Sequence, residues 1–103
     1  MVTIDAFKQL VLSLNGVEEL PHFEKTSFRV KKKIFATHAP GSDIICVKLS
    51  EVDQSVFCAI DKTMIYPVDN KWGKQGWTLV NLKKVRKTIL KDIVTTAYNE
   101  VAC

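Results

Sequence analysis

The side chains best able to do covalent or acid–base chemistry are two histidines, three cysteines and an acidic cluster in residues 18–24. Cys46 and His38 would supply a nucleophile and a base only if the fold brought them together with a third, orienting group. His22 and His38 have no further ligands at metal-binding spacing. The acidic cluster is better explained as a solvated connector that offsets nearby lysines. The sequence therefore predicts a protein that is not an enzyme and has no metal and no cofactor.

The three cysteines, Cys46, Cys58 and Cys103, are odd in number and widely spaced, and they include no C-x-x-C motif. A disulfide framework or a zinc site would need pairs or close spacing. Cys46 and Cys58 lie in apolar strings and are predicted to be small buried side chains. This usage is typical of a reducing compartment, and we expect a cytoplasmic protein.

Two basic segments without acidic residues dominate the charge distribution. The chain has 15 lysines and arginines and 11 acidic residues, a net charge of +4. Residues 25–33 carry five of the cations and residues 71–91 carry seven. Such segregation is typical of polyanion binders, although single lysines more often only solvate turns and helix faces. The predicted nucleic-acid-binding residues are Lys25, Arg29, Lys31, Lys32, Lys33, Lys71, Trp72, Lys74, Lys83, Lys84, Arg86 and Lys87.

Both tryptophans lie among the cations of the second segment, where aromatic rings suit base stacking. Trp72 lies in residues 71–76, whose two glycines predict a loop, and a large exposed ring there is hard to explain by packing. The stretch Gly73–Gly76 is too short for a Walker-type phosphate loop. Trp77 begins an alternating stretch and is predicted to lie in the core. Trp72 is therefore the better functional candidate.

The helices and strands predicted from the sequence indicate an α+β domain. A first helix, capped by Thr3, has an apolar stripe over residues 7–14 and a left-handed stop at Gly16. A connector over residues 17–25 follows the first helix, and a last helix begins at about Val85. Strands are predicted over 26–30, 34–37, 44–49, 64–68 and 77–82, a turn at 31–32, and either a short helix or a strand over 55–60. We expect a two-layer sandwich, an antiparallel sheet with the N- and C-terminal helices packed on one face.

The size and composition of the chain fit one ordinary domain, residues 1–103. Its side chains are 47% hydrophobic and 25% charged, close to the average of globular proteins and sufficient for one core. No apolar run approaches the roughly 18–20 residues of a membrane span. We expect a monomer without membrane contact.

Several motifs resemble those of the MmcQ/YjbR-like family, in the same order along the chain. Residues 14–19, LNGVEE, resemble its L-P-G-V-E-E segment, with Asn15 where proline is usual. Residues 22–30, HFEKTSFRV, are similar to H-F-x-K-x-S-F-R-V, residues 33–36 to K-x-F-A, and residues 73–77 to G-K-x-G-W. The resemblance implies a fold like that of bacterial frataxin homologues, with helices on one side of an antiparallel sheet. It also implies a DNA-binding role and brings no catalytic residues.

Two functions of different kinds are compatible with the sequence. The first is a small non-enzymatic module that binds DNA, with residues 31–33 and 71–76 contacting phosphates and residues 83–87 adding a flank. The second is a protein-interaction module that binds an acidic partner through the same basic surface. Geometry separates them, because a DNA-binding surface needs both basic segments on one continuous face.

Overall fold

The computed structural model describes residues 2–102, and within them a six-stranded sheet packs against helices. The elements in chain order are α1 Ile4–Leu12, β1 Glu18–His22, β2 Lys25–Val30, β3 Lys33–His38, β4 Ile44–Lys48, α2 Glu51–Cys58, β5 Ile65–Pro67, α3 Lys71–Lys74, β6 Trp77–Asn81 and α4 Lys87–Ala102. The strand order is β1-β2-β3-β4-β6-β5, and neighbouring strands pair antiparallel. The predicted α+β sandwich is confirmed.

The core lies between one face of the sheet and the two terminal helices. The ring of Phe7 in α1 meets that of Phe28 in β2 edge-on, with centroids 5.5 Å apart. The rings of Phe35 in β3 and Tyr98 in α4 meet in the same way at 5.7 Å. The predicted stripes of both helices enter this single core, with Phe7, Val11, Ile93 and Ala97 buried and Leu10, Leu14 and Ile89 packed against them.

A β-bulge between β2 and β3 determines which side chains of β3 face the core. Phe28 pairs with Ala36 and Arg29 pairs with Ile34, so Phe35 has no partner across the ladder. An extra residue of this kind interrupts the alternation of side chains. Phe35 and Ala36 are consequently both buried, and Ile34 lies on the opposite face of the sheet.

Residues 18–22 form a strand, so the prediction of a connector there is wrong. Pro21 disfavours a helix at the preceding residue, but it is compatible with an edge strand, whose outer N–H groups need no partner in the sheet. β1 is such an edge strand, and β5, which contains Pro67, is the other.

The helices agree with the predictions except for α3, which lies in a predicted loop. The ambiguous stretch 55–60 belongs largely to α2, which is capped by the Ser50 hydroxyl accepting from the Asp53 amide at 3.1 Å. The predicted loop 71–76 contains the short helix α3. α4 begins at Lys87, two residues after the buried Val85. Across residues 2–102, no helix combines the length and the hydropathy needed to cross a membrane.

Candidate nucleic-acid interface

The sheet face opposite α1 and α4 carries a groove of about 530 Å³. The groove crosses the strands from β2 to β6, a span of three strand spacings or about 14 Å. The segment that joins β5 to α3 closes its far side. The lining residues are Lys25, Ile34, Thr37, Cys46, Val68, Asn70, Trp72, Trp77 and Leu79.

Strand alternation explains why Trp77 faces this groove and not the core, where the sequence analysis predicted it. Its neighbours Thr78 and Val80 are fully buried on the helix side, so Trp77 and Leu79 share the opposite face. A buried threonine is acceptable there because its hydroxyl donates to the Gly76 carbonyl at 3.0 Å. The prediction of a core tryptophan is wrong because the alternating pattern fits either phase, and hydrogen bonding selects the phase that buries Thr78.

Trp72 is presented at the groove by the short helix α3. The Asn70 side-chain oxygen accepts from the Trp72 amide at 2.8 Å and caps the helix. Trp72 is 49% exposed, and the Lys71 ammonium lies 5.6 Å from the centroid of its ring, within cation–π range. The cation thus lies over one face of an exposed aromatic ring at the wall of the groove.

The two glycines of the G-K-x-G-W motif allow α3 to pack closely against the ends of neighbouring strands. A Cβ atom on Gly73 would lie 1.9 Å from the Val68 carbonyl oxygen. One on Gly76 would lie 1.8 Å from the Leu49 carbonyl oxygen, and Gly76 also has a φ of +104°. These glycines position Trp72 and Trp77 by close backbone packing.

Gln54 in α2 is a positioning residue that the sequence did not reveal. Its amide nitrogen lies 2.9 Å from the Gly73 carbonyl, 3.2 Å from the Trp77 carbonyl and 3.1 Å from the Thr78 hydroxyl. It therefore ties α2 to α3 and to the start of β6. No local pattern marks it, because its partners lie 19 to 24 residues further along the chain.

Cys46 lies on the groove floor as a free thiol and is partly exposed, as is Cys58, so the prediction that both are buried is wrong. Burial raises the pKa of the Cys46 thiol from 9.0 to about 11, and the Lys25 ammonium opposes part of that rise. The thiol is therefore neutral at pH 7. Cys103 lies outside the described residues.

Cys46 and His38 lie on opposite faces of the sheet and do not form the nucleophile–base pair considered above. Cys46 pairs with Thr37 across the strands, so the next residue, His38, points to the helix side. His38 is buried there, with Nε2 2.9 Å from the Ser42 carbonyl oxygen. The side chain of His22 is outside the described part of the structure.

The predicted turn between β2 and β3 is confirmed, and its conformation is unusual for lysine. Lys31 and Lys32 have φ angles of 53° and 67°, the left-handed pair of a type I′ turn, which favours asparagine and glycine. A non-glycine residue in this region costs roughly 1–2 kcal/mol. The turn therefore exposes two lysine side chains at a cost in backbone strain.

This turn and α3 lie at the same end of the sheet. β2 ends and β3 begins at that end. β4 ends and β6 begins there too, because Lys48 pairs with Trp77, and α3 directly precedes β6. The exposed residues Lys32, Lys33, Lys71 and Lys74 are thereby brought to one end of the molecule. Lys25, at the start of β2, lies at the other end of that strand from the turn, and its side chain lines the groove between the two ends.

The rest of the second basic segment lies at the other end of β6. Lys83, Lys84, Arg86 and Lys87 are exposed between β6 and the first turn of α4. The Lys83 ammonium lies 3.3 Å from the Asp43 carboxylate. Residues 71–74 therefore share one end of the sheet with the turn at 31–33, and residues 83–87 lie at the other end, where β2 begins. Arg29, partly exposed on β2, donates from Nε to the Ser27 hydroxyl at 3.0 Å.

Comparison with known proteins agrees with the motifs and with the fold. The YjbR family model matches residues 12–100. The crystal structure of protein DR2400 from Deinococcus radiodurans, a DUF419 domain, superposes with a TM-score of 0.85 at 21% sequence identity, covering 98% of this chain and 79% of that one. No curated protein sequence matches. Because the family match extends over most of the sequence, the chain belongs to the YjbR family.

Proposed function

We propose that this protein is a small DNA-binding module that does no chemistry on its ligand. Its contact surface is the end of the sheet where the Lys31–Lys32 turn and α3 lie, together with Lys25 in the adjoining groove. The residues that contact phosphate are Lys25, Lys32, Lys33, Lys71 and Lys74.

The observation that carries the proposal is the conformation of the turn. Lys31 and Lys32 both adopt positive φ angles, although asparagine or glycine would fit a type I′ turn with less strain. Backbone strain that persists in a folded protein is concentrated at functional sites. The Lys31 ammonium already donates to the Ala102 carbonyl oxygen, so the argument applies to Lys32, whose exposed charge has a purpose at a strained turn when it contacts a ligand.

The spacing of the basic elements supports a single nucleic-acid strand as the common ligand. β3 and β6 are separated only by β4, so the turn and α3 are about two strand spacings, or roughly 10 Å, apart. Successive phosphates of one strand rise about 3.4 Å each along a duplex. One backbone can therefore contact both elements. Lysine–phosphate contacts fix the position of the DNA but carry no sequence preference.

A salt titration tests the proposal. Fluorescently labelled duplex and single-stranded DNA are titrated with the protein at several salt concentrations, beginning near about 50 mM, where phosphate contacts are strong. Five contacts predict a slope of log K against log salt near −4.5 for a duplex, or near −3.5 for a single strand. If neither DNA binds at the lowest salt concentration, the proposal is wrong, and an acidic protein partner becomes the better explanation of these lysines.

A further inference from the structure

We infer, on the basis of the proposed DNA-binding function, that the preferred ligand is single-stranded DNA and that an unpaired base enters the groove and stacks on Trp72. The inference rests on one juxtaposition: an exposed tryptophan, apolar side chains in the groove lining, and cations at both sides of the groove. Phosphate contacts alone do not distinguish single-stranded from double-stranded DNA, whereas a base-stacking site does.

The aromatic wall is suited to a base. Trp72 is 49% exposed and lines the groove, and Trp77 lines it as well. Stacking on aromatic side chains is the main source of affinity for bases in proteins that bind single strands, and it tolerates any sequence. Lys71, beside the Trp72 ring, can contact the backbone phosphate of the same nucleotide.

The groove is large enough to hold a nucleobase. Its 530 Å³ lie within the range of about 300–1,000 Å³ that is usual for small-molecule sites. Ile34 and Leu79 contribute apolar side chains to the lining, and Thr37 contributes a hydroxyl. Double-stranded DNA would have to flip a base out of its stack to fill this groove, which costs unpairing and unstacking energy.

The charge around the groove is complementary to a nucleic-acid backbone. Lys25 lines the β2 side and Lys71 lies at the α3 side. The nine lining residues, all within the described part of the chain, include no carboxylate. A strand that crosses the sheet would place phosphates at both cations and a base between them.

Fluorescence measurements provide a direct test, because both tryptophans of the chain line the groove. The probe is an oligothymidylate of about 12 nucleotides, within the ~4–16 nucleotides that single-strand-binding modules occupy. A duplex of the same length is the comparison. We expect the single strand to bind at least about tenfold more tightly than the duplex and to quench tryptophan emission.

Variants identify the residue responsible. Trp72→Ala should weaken single-strand binding by about 5- to 150-fold, and Trp72→Phe should keep most of the affinity because it retains an aromatic face. Val56→Ala, which truncates a 60% exposed side chain on α2, is the matched control and should bind normally. Thermal melting should show that all three variants fold, because both altered positions are exposed.

Equal affinity for duplex and single strand, with unchanged emission, would overturn this inference. Normal single-strand binding by Trp72→Ala would overturn it as well. In both cases DNA binding through the lysines would stand, so failure here is distinguishable from failure of the proposed function. If the protein bound neither DNA, both this inference and the proposed DNA-binding function would be wrong.

Discussion

The side-chain ammonium of Lys31 donates a hydrogen bond of 2.7 Å to the carbonyl oxygen of Ala102, 71 residues further along the chain. The last turn of α4 has no basic residue of its own, so Lys31 provides the positive charge that a helix C-terminus favours. The β2–β3 turn is thereby fastened to the end of the last helix. Lys31 thus has a structural role that its neighbours Lys32 and Lys33 do not share.

The first prediction concerns this contact. Lys31→Ala should lower the free energy of unfolding by about 0.5–1.5 kcal/mol, the range of a typical hydrogen bond, because exposure to solvent weakens the contribution of the charge. Lys32→Ala is the matched control, because it removes a lysine from the same turn and from the same φ region. Urea denaturation should show a loss for Lys31→Ala alone. Equal losses in both variants would contradict the assigned role.

The second prediction concerns strain in the turn. Lys32→Gly should raise the free energy of unfolding by about 0.5–1 kcal/mol, because glycine adopts a positive φ without steric cost, although it adds entropy to the unfolded chain. It should also weaken DNA binding by removing a cation. Lys33→Gly, in the first position of β3, should destabilise the protein instead. A less stable Lys32→Gly variant would show that the turn is not strained.

Much of this architecture follows from local sequence patterns. The helical stripes of α1 and α4 are regular, and the pair Lys31-Lys32 interrupts an alternating run where the hairpin turns. Patterns of this kind depend on residues that are close in sequence, and therefore one sequence is enough to interpret them.

The parts of the site that sequence could not supply depend on contacts between distant residues. The phase of β6 is set by the hydrogen bonds of Thr78 with Gly76 and Gln54, and Gln54 is 24 residues away. The separation of Lys83–Lys87 from α3 follows from the direction of β6 within the sheet. Counting charges along the chain places α3 and residues 83–87 in one basic segment, although they lie at opposite ends of β6.

The third prediction concerns the glycines that seat α3. Gly76→Ala should cost about 3 kcal/mol or more, because its Cβ would lie 1.8 Å from the Leu49 carbonyl oxygen and its φ is +104°. Gly41→Ala is the control: its φ is +79° but a Cβ there meets no atom within 4 Å, so about 1 kcal/mol is expected. Denaturation midpoints compare the two. Similar losses would show that close packing at Gly76 is unimportant.

The fourth prediction follows from the raised pKa of Cys46. The folded state holds the thiol proton up to about pH 11, whereas the unfolded state releases it near pH 9.0. Stability from this group is therefore complete below pH 9 and falls as the pH rises towards 11, by about 2–3 kcal/mol in total. Subtracting the unfolding curve of Cys46→Ala isolates this contribution. Parallel pH profiles for the two proteins would refute it.

The fifth prediction compares two pairs of lysines that are matched in charge and lie at opposite ends of the sheet. The double variant Lys32→Ala/Lys33→Ala loses two phosphate contacts. The slope of log K against log salt should therefore become less steep by up to about 1.8 for a duplex, or about 1.4 for a single strand. Lys83→Ala with Lys84→Ala removes the same charge at the far end, where Lys83 is already paired with Asp43.

The second pair should leave the slope unchanged, because counterions are released only where lysines meet phosphates. It should lower the affinity only slightly, through the reduced net charge, and that loss should disappear as salt screens long-range attraction. A slope that flattens equally in both double variants would mean that DNA spreads over the whole basic surface. A slope that flattens only in the Lys83/Lys84 variant would move the interface to the start of α4 and leave the turn with no role in binding.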